Sequence, residues 1–194
     1  VGWFKEGVAR VFSLVPEDTC LRHGSAELIR VYGHTMLRPG DVAHIGLWTF
    51  AEYGLSAHLA GAEVLRAEEL AARVPVVRFL CNPNNPTGRL LPREVMLAEL
   101  DRCSAAGTQL FVDEAFMDLS EPEDSITDVR SDQLFVMRSL TKSFAVPGIR
   151  FGVGFGSPDL IRRIGTARSP WMLKAFAQSH AKLRVAQYHE LRHP

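Results

Sequence analysis

Lys142 lies in the stretch Arg138-Ser-Leu-Thr-Lys142-Ser-Phe-Ala-Val-Pro-Gly-Ile-Arg150, with hydroxyls at Ser139, Thr141 and Ser143 and a guanidinium at Arg150. The apolar run Leu134 to Met137 leads into it, and the glycine-punctuated run Phe151 to Gly156 follows. The lysine therefore falls in a loop between two expected strands. Burying a lysine is costly unless it is paired or neutral. Desolvation and a nearby cation both lower its pKa, and a neutral amine attacks carbonyls. Hydroxyls and an arginine beside such an amine suit a phosphate, which together is the setting of a Schiff-base lysine. Taken alone, the stretch would equally suit a surface loop that happens to hold a lysine.

Four other groups could join that chemistry. Asp113 ends the apolar run Leu110-Phe111-Val112. A carboxylate ending a strand buried on both faces needs a partner: a protonated pyridine nitrogen, a lysine or the N-terminal end of a helix. Asn82-Pro-Asn-Asn85-Pro86-Thr-Gly88 follows the run Val76 to Cys81. Its two Asn-Pro pairs and its glycine exclude regular structure and offer amides at a strand end, and an X-Pro bond there could be cis. Gly24-Ser25-Ala26 opens a helical pattern carried by Leu28, Ile29, Tyr32 and Met36. Free N–H groups and the helix dipole favour an anion at such a start, although Ser25 as a plain N-cap explains it as well. Trp48, Phe50 and Tyr53 follow the short strand Val42 to Ile45. In open α/β sheets ligands sit beyond the C-terminal strand ends, so an aromatic there stacks on a flat ligand or packs into the core.

The elements that must position these groups alternate. A helix is expected over Val1 to Val15, and Pro16 breaks it. Cys20 to Glu27 reads as a turn opening the second helix. Strands are expected at Val42 to Ile45, Ala62 to Arg66, Val76 to Cys81, Thr108 to Val112, Leu134 to Met137 and Phe151 to Gly156. Helices lie between them: one from the Trp48 region to about Gly61, a short one over 68–73, and one starting at Pro92 whose Met96, Leu100 and Cys103 share a face. Two more follow, one capped by Ser157-Pro158 and a last one over 170–192 with Leu173, Phe176, Ala177, His180 and Leu183 in one stripe. The β–α–β–α order with short connections indicates a mostly parallel sheet with helices on both faces, a three-layer αβα sandwich.

Composition narrows the function. Of 194 residues, 46% are hydrophobic and 23% charged, which is ordinary globular composition for one domain with a substantial core. The 22 basic and 22 acidic residues cancel, so no basic field argues for nucleic acid or a membrane surface. No apolar run has the length of a membrane span, and the N-terminus lacks a signal-peptide layout. It also lacks an initiator methionine, so a fragment or a processed chain is expected. Three cysteines (Cys20, Cys81, Cys103) without ligand spacing read as reduced thiols of a cytoplasmic protein. No metal site is expected.

Lysine, aspartate, asparagine loop and phosphate-holding groups, all at strand ends, together suit pyridoxal 5'-phosphate. The segments Asn82 to Gly88, Asp113-Glu-Ala-Phe116 and Ser139-Leu-Thr-Lys142 with Arg150 resemble the fold-type I pyridoxal-phosphate enzymes, the aspartate-aminotransferase superfamily. Within it, the threonine-phosphate decarboxylases of cobalamin synthesis look nearest, through Phe50-Ala-Glu-Tyr53, the Phe116 position, Ala145 to Arg150 and Ser169-Pro-Trp171. Histidinol-phosphate aminotransferases come next, but usually carry tyrosine where this chain has Phe116. The resemblance implies Lys142 as the Schiff-base lysine and Asp113 as the partner of the ring nitrogen. It implies Asn85 on the ring oxygen and Phe50 on the ring face. The cofactor phosphate would fall to Ser25, Ala26, Ser139, Thr141 and Arg150. It further implies a homodimer and a small phosphorylated amino-acid substrate.

Two departures bear on activity. The family has an N-terminal arm over the substrate and a C-terminal small domain whose arginine grips the substrate carboxylate. Residues 1–194 read as the large domain alone, and Lys174 stands where asparagine is common. Three functions remain open: the decarboxylase, the aminotransferase, and a non-catalytic remnant that binds the cofactor or a partner. A nucleotide-binding α/β domain is disfavoured, because no Gly-x-Gly-x-x-Gly or P-loop pattern follows a strand.

Overall fold

Seven short strands build one sheet in the computed structural model, which describes residues 2–66, 73–139, 142 and 151–167. The strands are β1 (Thr19–Arg22), β2 (Val42–Ile45), β3 (Glu63–Arg66), β4 (Val77–Cys81), β5 (Gln109–Asp113), β6 (Leu134–Arg138) and β7 (Gly152–Gly156). Their order across the sheet is β1-β7-β6-β5-β4-β2-β3. Neighbours from β3 to β6 are parallel, whereas β7 pairs antiparallel with both β6 and β1. The C-terminal ends of β1, β2, β4, β5 and β6 thus share one edge with the N-terminal end of β7.

The helices are α1 (Gly2–Val11), α2 (Ser25–Met36), α3 (Glu52–Leu59), α4 (Arg93–Ala105) and α5 (Pro158–Thr166). On one face, Leu28, Ile29 and Tyr32 of α2, Tyr53 of α3 and Leu160 and Ile164 of α5 pack with Phe79, Phe111, Phe135 and Met137. On the other, Val8 of α1 and Met96, Leu100 and Cys103 of α4 pack with Leu110, Val112, Leu134 and Val136. Successive residues of β5 and β6 feed opposite cores, so these strands carry no polar alternation, as a doubly covered sheet requires. Each fully buried phenylalanine contributes roughly 1.5–3 kcal/mol relative to exposure. This is the αβα sandwich expected from the element order.

Two expectations change. The segment read as a turn from Cys20 contains β1, a fully buried edge strand of four residues. It is too short to show a period, and only its pairing with β7 defines it. The first helix stops at Val11 instead of Val15, and a short helical turn, Pro16–Asp18, leads into β1. The helices expected over 68–73 and 170–192, together with Ser169-Pro-Trp171 and Lys174, lie outside the described residues, apart from Arg73. No described helix is long and apolar enough to cross a membrane.

Candidate active site

At the end of β4 the asparagines divide the work. Asn82 is fully buried and mimics a strand partner for Leu91, donating to its carbonyl at 2.9 Å and accepting from its N–H at 2.7 Å. Asn84 donates to the Trp48 carbonyl at 2.8 Å and to Thr87 Oγ1 at 2.7 Å, and accepts from Thr49 Oγ1 at 2.8 Å. Both Asn82-Pro83 and Asn85-Pro86 are cis. With two amides spent on holding the loop, Asn85 is the one that reaches the cleft beside Asp113.

Asp113 is buried at the end of β5. Tyr53 Oη donates to its Oδ2 at 2.7 Å, and the Ala115 N–H donates to its Oδ1 at 2.9 Å. No cation pairs with it among the described residues. Burial pushes its pKa up from 3.8 to about 6; the two hydrogen bonds pull back and Glu114 adds to the rise. None of the protein partners expected from the sequence is present. Tyr53, read only as one of three aromatics, is instead the carboxylate's main donor. The available signal was spacing: Tyr53 lies one helical turn after Phe50, and a buried tyrosine hydroxyl needs an acceptor. Its ring is fixed by stacking on Phe79, with centroids 5.5 Å apart and planes at 11°. Phe50 packs edge-on against Tyr53 at 5.8 Å and reaches the cleft, whereas Trp48 is 73% exposed and faces elsewhere.

The third element is the start of α2. Gly24 precedes it with φ 91°, and no side chain caps the helix, so Ser25 is not the N-cap. The first-turn N–H groups of Ser25 and Ala26 open toward the cleft that both residues line. Glu27 is drawn away from that spot by accepting from the His23 N–H at 2.8 Å. β7 passes directly beneath: a Cβ on Gly152 would lie 2.7 Å from the Gly24 carbonyl carbon and 2.9 Å from the Ser25 nitrogen. Only glycine allows that approach. Gly152→Ala should destabilise the chain by about 1–3 kcal/mol in urea titration, since backbone rather than a side chain must yield. It should also weaken binding of inorganic phosphate at the α2 start.

Lys142 and Ser139 follow β6. Ser139 is buried, and its carbonyl accepts from the Lys142 N–H at 3.1 Å. The lysine side chain is exposed, not buried as the sequence reading supposed, because it stands where the chain leaves the sheet edge. Its Nζ sits 5.4 Å from the Phe116 ring centroid. Beneath this loop lies a buried network that the sequence did not reveal. Glu114 accepts from Ser125 Oγ at 2.6 Å, Thr127 Oγ1 at 3.0 Å and the Ile126 N–H at 2.9 Å. Arg138, 1% exposed, lies 3.6 Å from Glu114 and 3.2 Å from Asp118. It ties the segment after β5 to the last residue before Ser139. Only Asp113 of the Asp-Glu pair stood out, because a side chain's face is not legible where β5 ends.

One cleft of about 160 Å³ is lined by Ser25, Ala26, Phe50, Asn85, Asp113, Ser139 and Lys142, with Cys81, Ala115 and Phe116. Seven of the nine residues expected to form a site thus meet; the other two, Thr141 and Arg150, lie outside the described residues. The donor set fits pyridoxal phosphate: an amine for the aldehyde, a buried carboxylate without a cation for a ring nitrogen, and uncapped helix N–H groups for a phosphate. All three cysteines are free and buried.

The aminotransferase class I and II family model matches residues 3–189. The threonine-phosphate decarboxylase of Salmonella typhimurium is 37% identical over 145 residues, covering 66% of this chain and 40% of that protein. The histidinol-phosphate aminotransferase of Symbiobacterium thermophilum is 31% identical over 187 residues, covering 89% of this chain and 52% of the relative. The crystal structure of histidinol-phosphate aminotransferase from Sinorhizobium meliloti in complex with pyridoxal-5'-phosphate superposes with a TM-score of 0.87 at 18% identity, over 97% of this chain and 55% of that one. The chain spans about half the length of the curated relatives it matches. The sheet order, the cleft and these matches lead to one placement: the chain belongs to the class I and II aminotransferase family of fold-type I pyridoxal-phosphate enzymes.

Proposed function

We propose that residues 1–194 form the cofactor-binding large domain of a pyridoxal-phosphate enzyme that decarboxylates threonine O-3-phosphate to aminopropanol phosphate for cobalamin synthesis. The observation that carries the cofactor half of this reading is the cleft that gathers Lys142, Asp113, Asn85 and the α2 start. The decarboxylase half is supported by the 37% identity to the Salmonella enzyme and by Phe116 beside Lys142. When bound, the cofactor supplies an electron sink conjugated to the substrate's α-carbon. The residues of this chain do the rest. Lys142 would hold the cofactor through its amine and would return a proton to the substrate's α-carbon. Asp113 would keep a proton on the ring nitrogen. Asn85 would donate to the ring oxygen, and Phe50 would cover the ring and exclude water. Ser25, Ala26 and Ser139, with Thr141 and Arg150, would hold the phosphate. We place the working form in the cytoplasm as a homodimer.

A histidinol-phosphate-type aminotransferase is the second reading. It uses the same residues and is favoured by the several histidinol-phosphate aminotransferases among the relatives. Which bond breaks depends on which lies perpendicular to the ring, and the grip on the substrate carboxylate sets that. Incubating the chain and cofactor with threonine O-3-phosphate should release carbon dioxide. Keto-acid-dependent amino transfer from histidinol phosphate without carbon dioxide would establish the second reading instead. Cofactor binding with neither reaction would identify a non-catalytic remnant.

A further inference from the structure

A second cleft, of about 430 Å³, lies across the asparagine loop from the first. It is lined by His44, Arg78 and Arg89, by the apolar Leu47, Trp48, Phe79, Leu80 and Leu91, and by Thr49, Asn84 and Thr87 of the loop contacts described above. Neighbouring residues divide between the two: Trp48 and Thr49 line this cleft and Phe50 the other, and Asn84 lines this one and Asn85 the other.

His44 points to a ligand. It projects from β2, is 3% exposed, and neither ring nitrogen has a hydrogen-bond partner among the described residues. Buried polar atoms in native folds are nearly always paired, and an imidazole left with both nitrogens unmet destabilises the fold that buries it. Burial, together with the positive charge of Arg78, lowers its pKa to about 4. At neutral pH the ring therefore offers one donor and one acceptor. The lining holds two guanidiniums and no carboxylate. Glu99 takes Arg78 Nε at 2.8 Å, while Arg89 forms no ion pair among the described residues. Trp48, 73% exposed, stands at the rim and offers a flat apolar face. The volume is in the range of small-molecule sites.

We propose that this cleft is a second binding site, separate from the cofactor cleft, for a small aromatic anion: its ring against Trp48, Leu80 and Leu91, its charge on Arg89 and Arg78, and a polar ring atom or acid oxygen on His44. The assignment does not depend on the catalytic reading: His44, Arg78 and Arg89 line only this cleft, and Cys81, buried, borders both.

Phenyl phosphate is a suitable probe, with phenol and inorganic phosphate as its halves. The full chain, loaded with one equivalent of pyridoxal phosphate, freed of excess and labelled with nitrogen-15 in histidine, is titrated while the ring nitrogens are followed by NMR. His23, next to the α2 start, reports the cofactor cleft in the same spectra. Phenyl phosphate should shift His44 saturably with a dissociation constant of roughly 1 mM or below, and about tenfold more tightly than either half. Arg89→Ala should weaken it about tenfold. His44→Leu, which fills the space without polar atoms, should abolish binding measured by calorimetry without loss of fold. No saturable shift of His44, a shift confined to His23, or equal binding by Arg89→Ala would each overturn the proposal.

Discussion

Lys142→Ala should abolish the phosphopyridoxyl group that borohydride fixes to the chain, and leave its stability unchanged. The side chain is exposed, and its only described contact is the Phe116 ring at 5.4 Å. Such a contact is worth about 0.5–1 kcal/mol at an exposed site, so the urea midpoint should barely move. The chemistry has no substitute among the described residues, where no other lysine lines the cleft. Peptide mass mapping after reduction should place the adduct on the peptide containing Lys142 in the parent and nowhere specific in the variant. Any turnover should fall by roughly a thousandfold or more, since in the proposed function one amine both anchors the cofactor and moves the proton. An adduct of unchanged yield in Lys142→Ala would remove the lysine from the site and the catalytic reading with it. Cofactor should still bind the variant weakly, because the α2 start, Asn85 and Asp113 remain.

The lysine was legible because chemistry imposes residue type and order on a loop, and loops are read one residue at a time. The same holds for Asp113 and for Asn85, although the sequence did not show that Asn82 and Asn84 would be spent on holding the loop. The sheet was legible too, since strands covered on both faces read as unbroken apolar runs. What escaped shares one property: it depends on which residue lies opposite. β1 exists only through its register with β7, Thr19 against Phe155 to Arg22 against Gly152. The Tyr53 bond to Asp113 joins residues 60 positions apart. The closeness of Gly152 to Gly24 and the Glu114–Arg138 network likewise arise from tertiary packing, which no local pattern encodes. The exposure of Lys142 belongs to the same class, because burial at the end of a strand is set by what faces it.

The carboxylate proposed to serve the cofactor should destabilise the chain that carries it. Asp113 has a folded pKa raised from 3.8 to about 6, chiefly by burial. Between those values the folded state binds a proton that the unfolded state has released, so stability is lost as pH rises through that window and stays low above it. A shift of this size corresponds to roughly 3 kcal/mol, about half of it lost between pH 5 and pH 8. Asp113→Asn keeps the shape and carries no charge at any pH. Its Oδ1 can still accept from Ala115, and Tyr53 Oη can turn to accept from the new amide. Urea unfolding at pH 5 and pH 8 should show the asparagine variant gaining roughly 1–2 kcal/mol relative to the parent across that interval. Taking the difference between two proteins cancels the other titrating groups. Tyr53→Phe should act in the opposite sense: without its donor the carboxyl rises further, and the loss of stability moves to higher pH. The cost of Asp113→Asn is functional, since a neutral side chain cannot hold a proton on a ring nitrogen, and cofactor affinity and turnover should both fall. If the two stability curves run parallel from pH 5 to pH 8, Asp113 is not desolvated and ionised in the way its surroundings indicate. A gain in stability coupled to a loss of cofactor would show that the site keeps a buried charge for its chemistry at the expense of the fold.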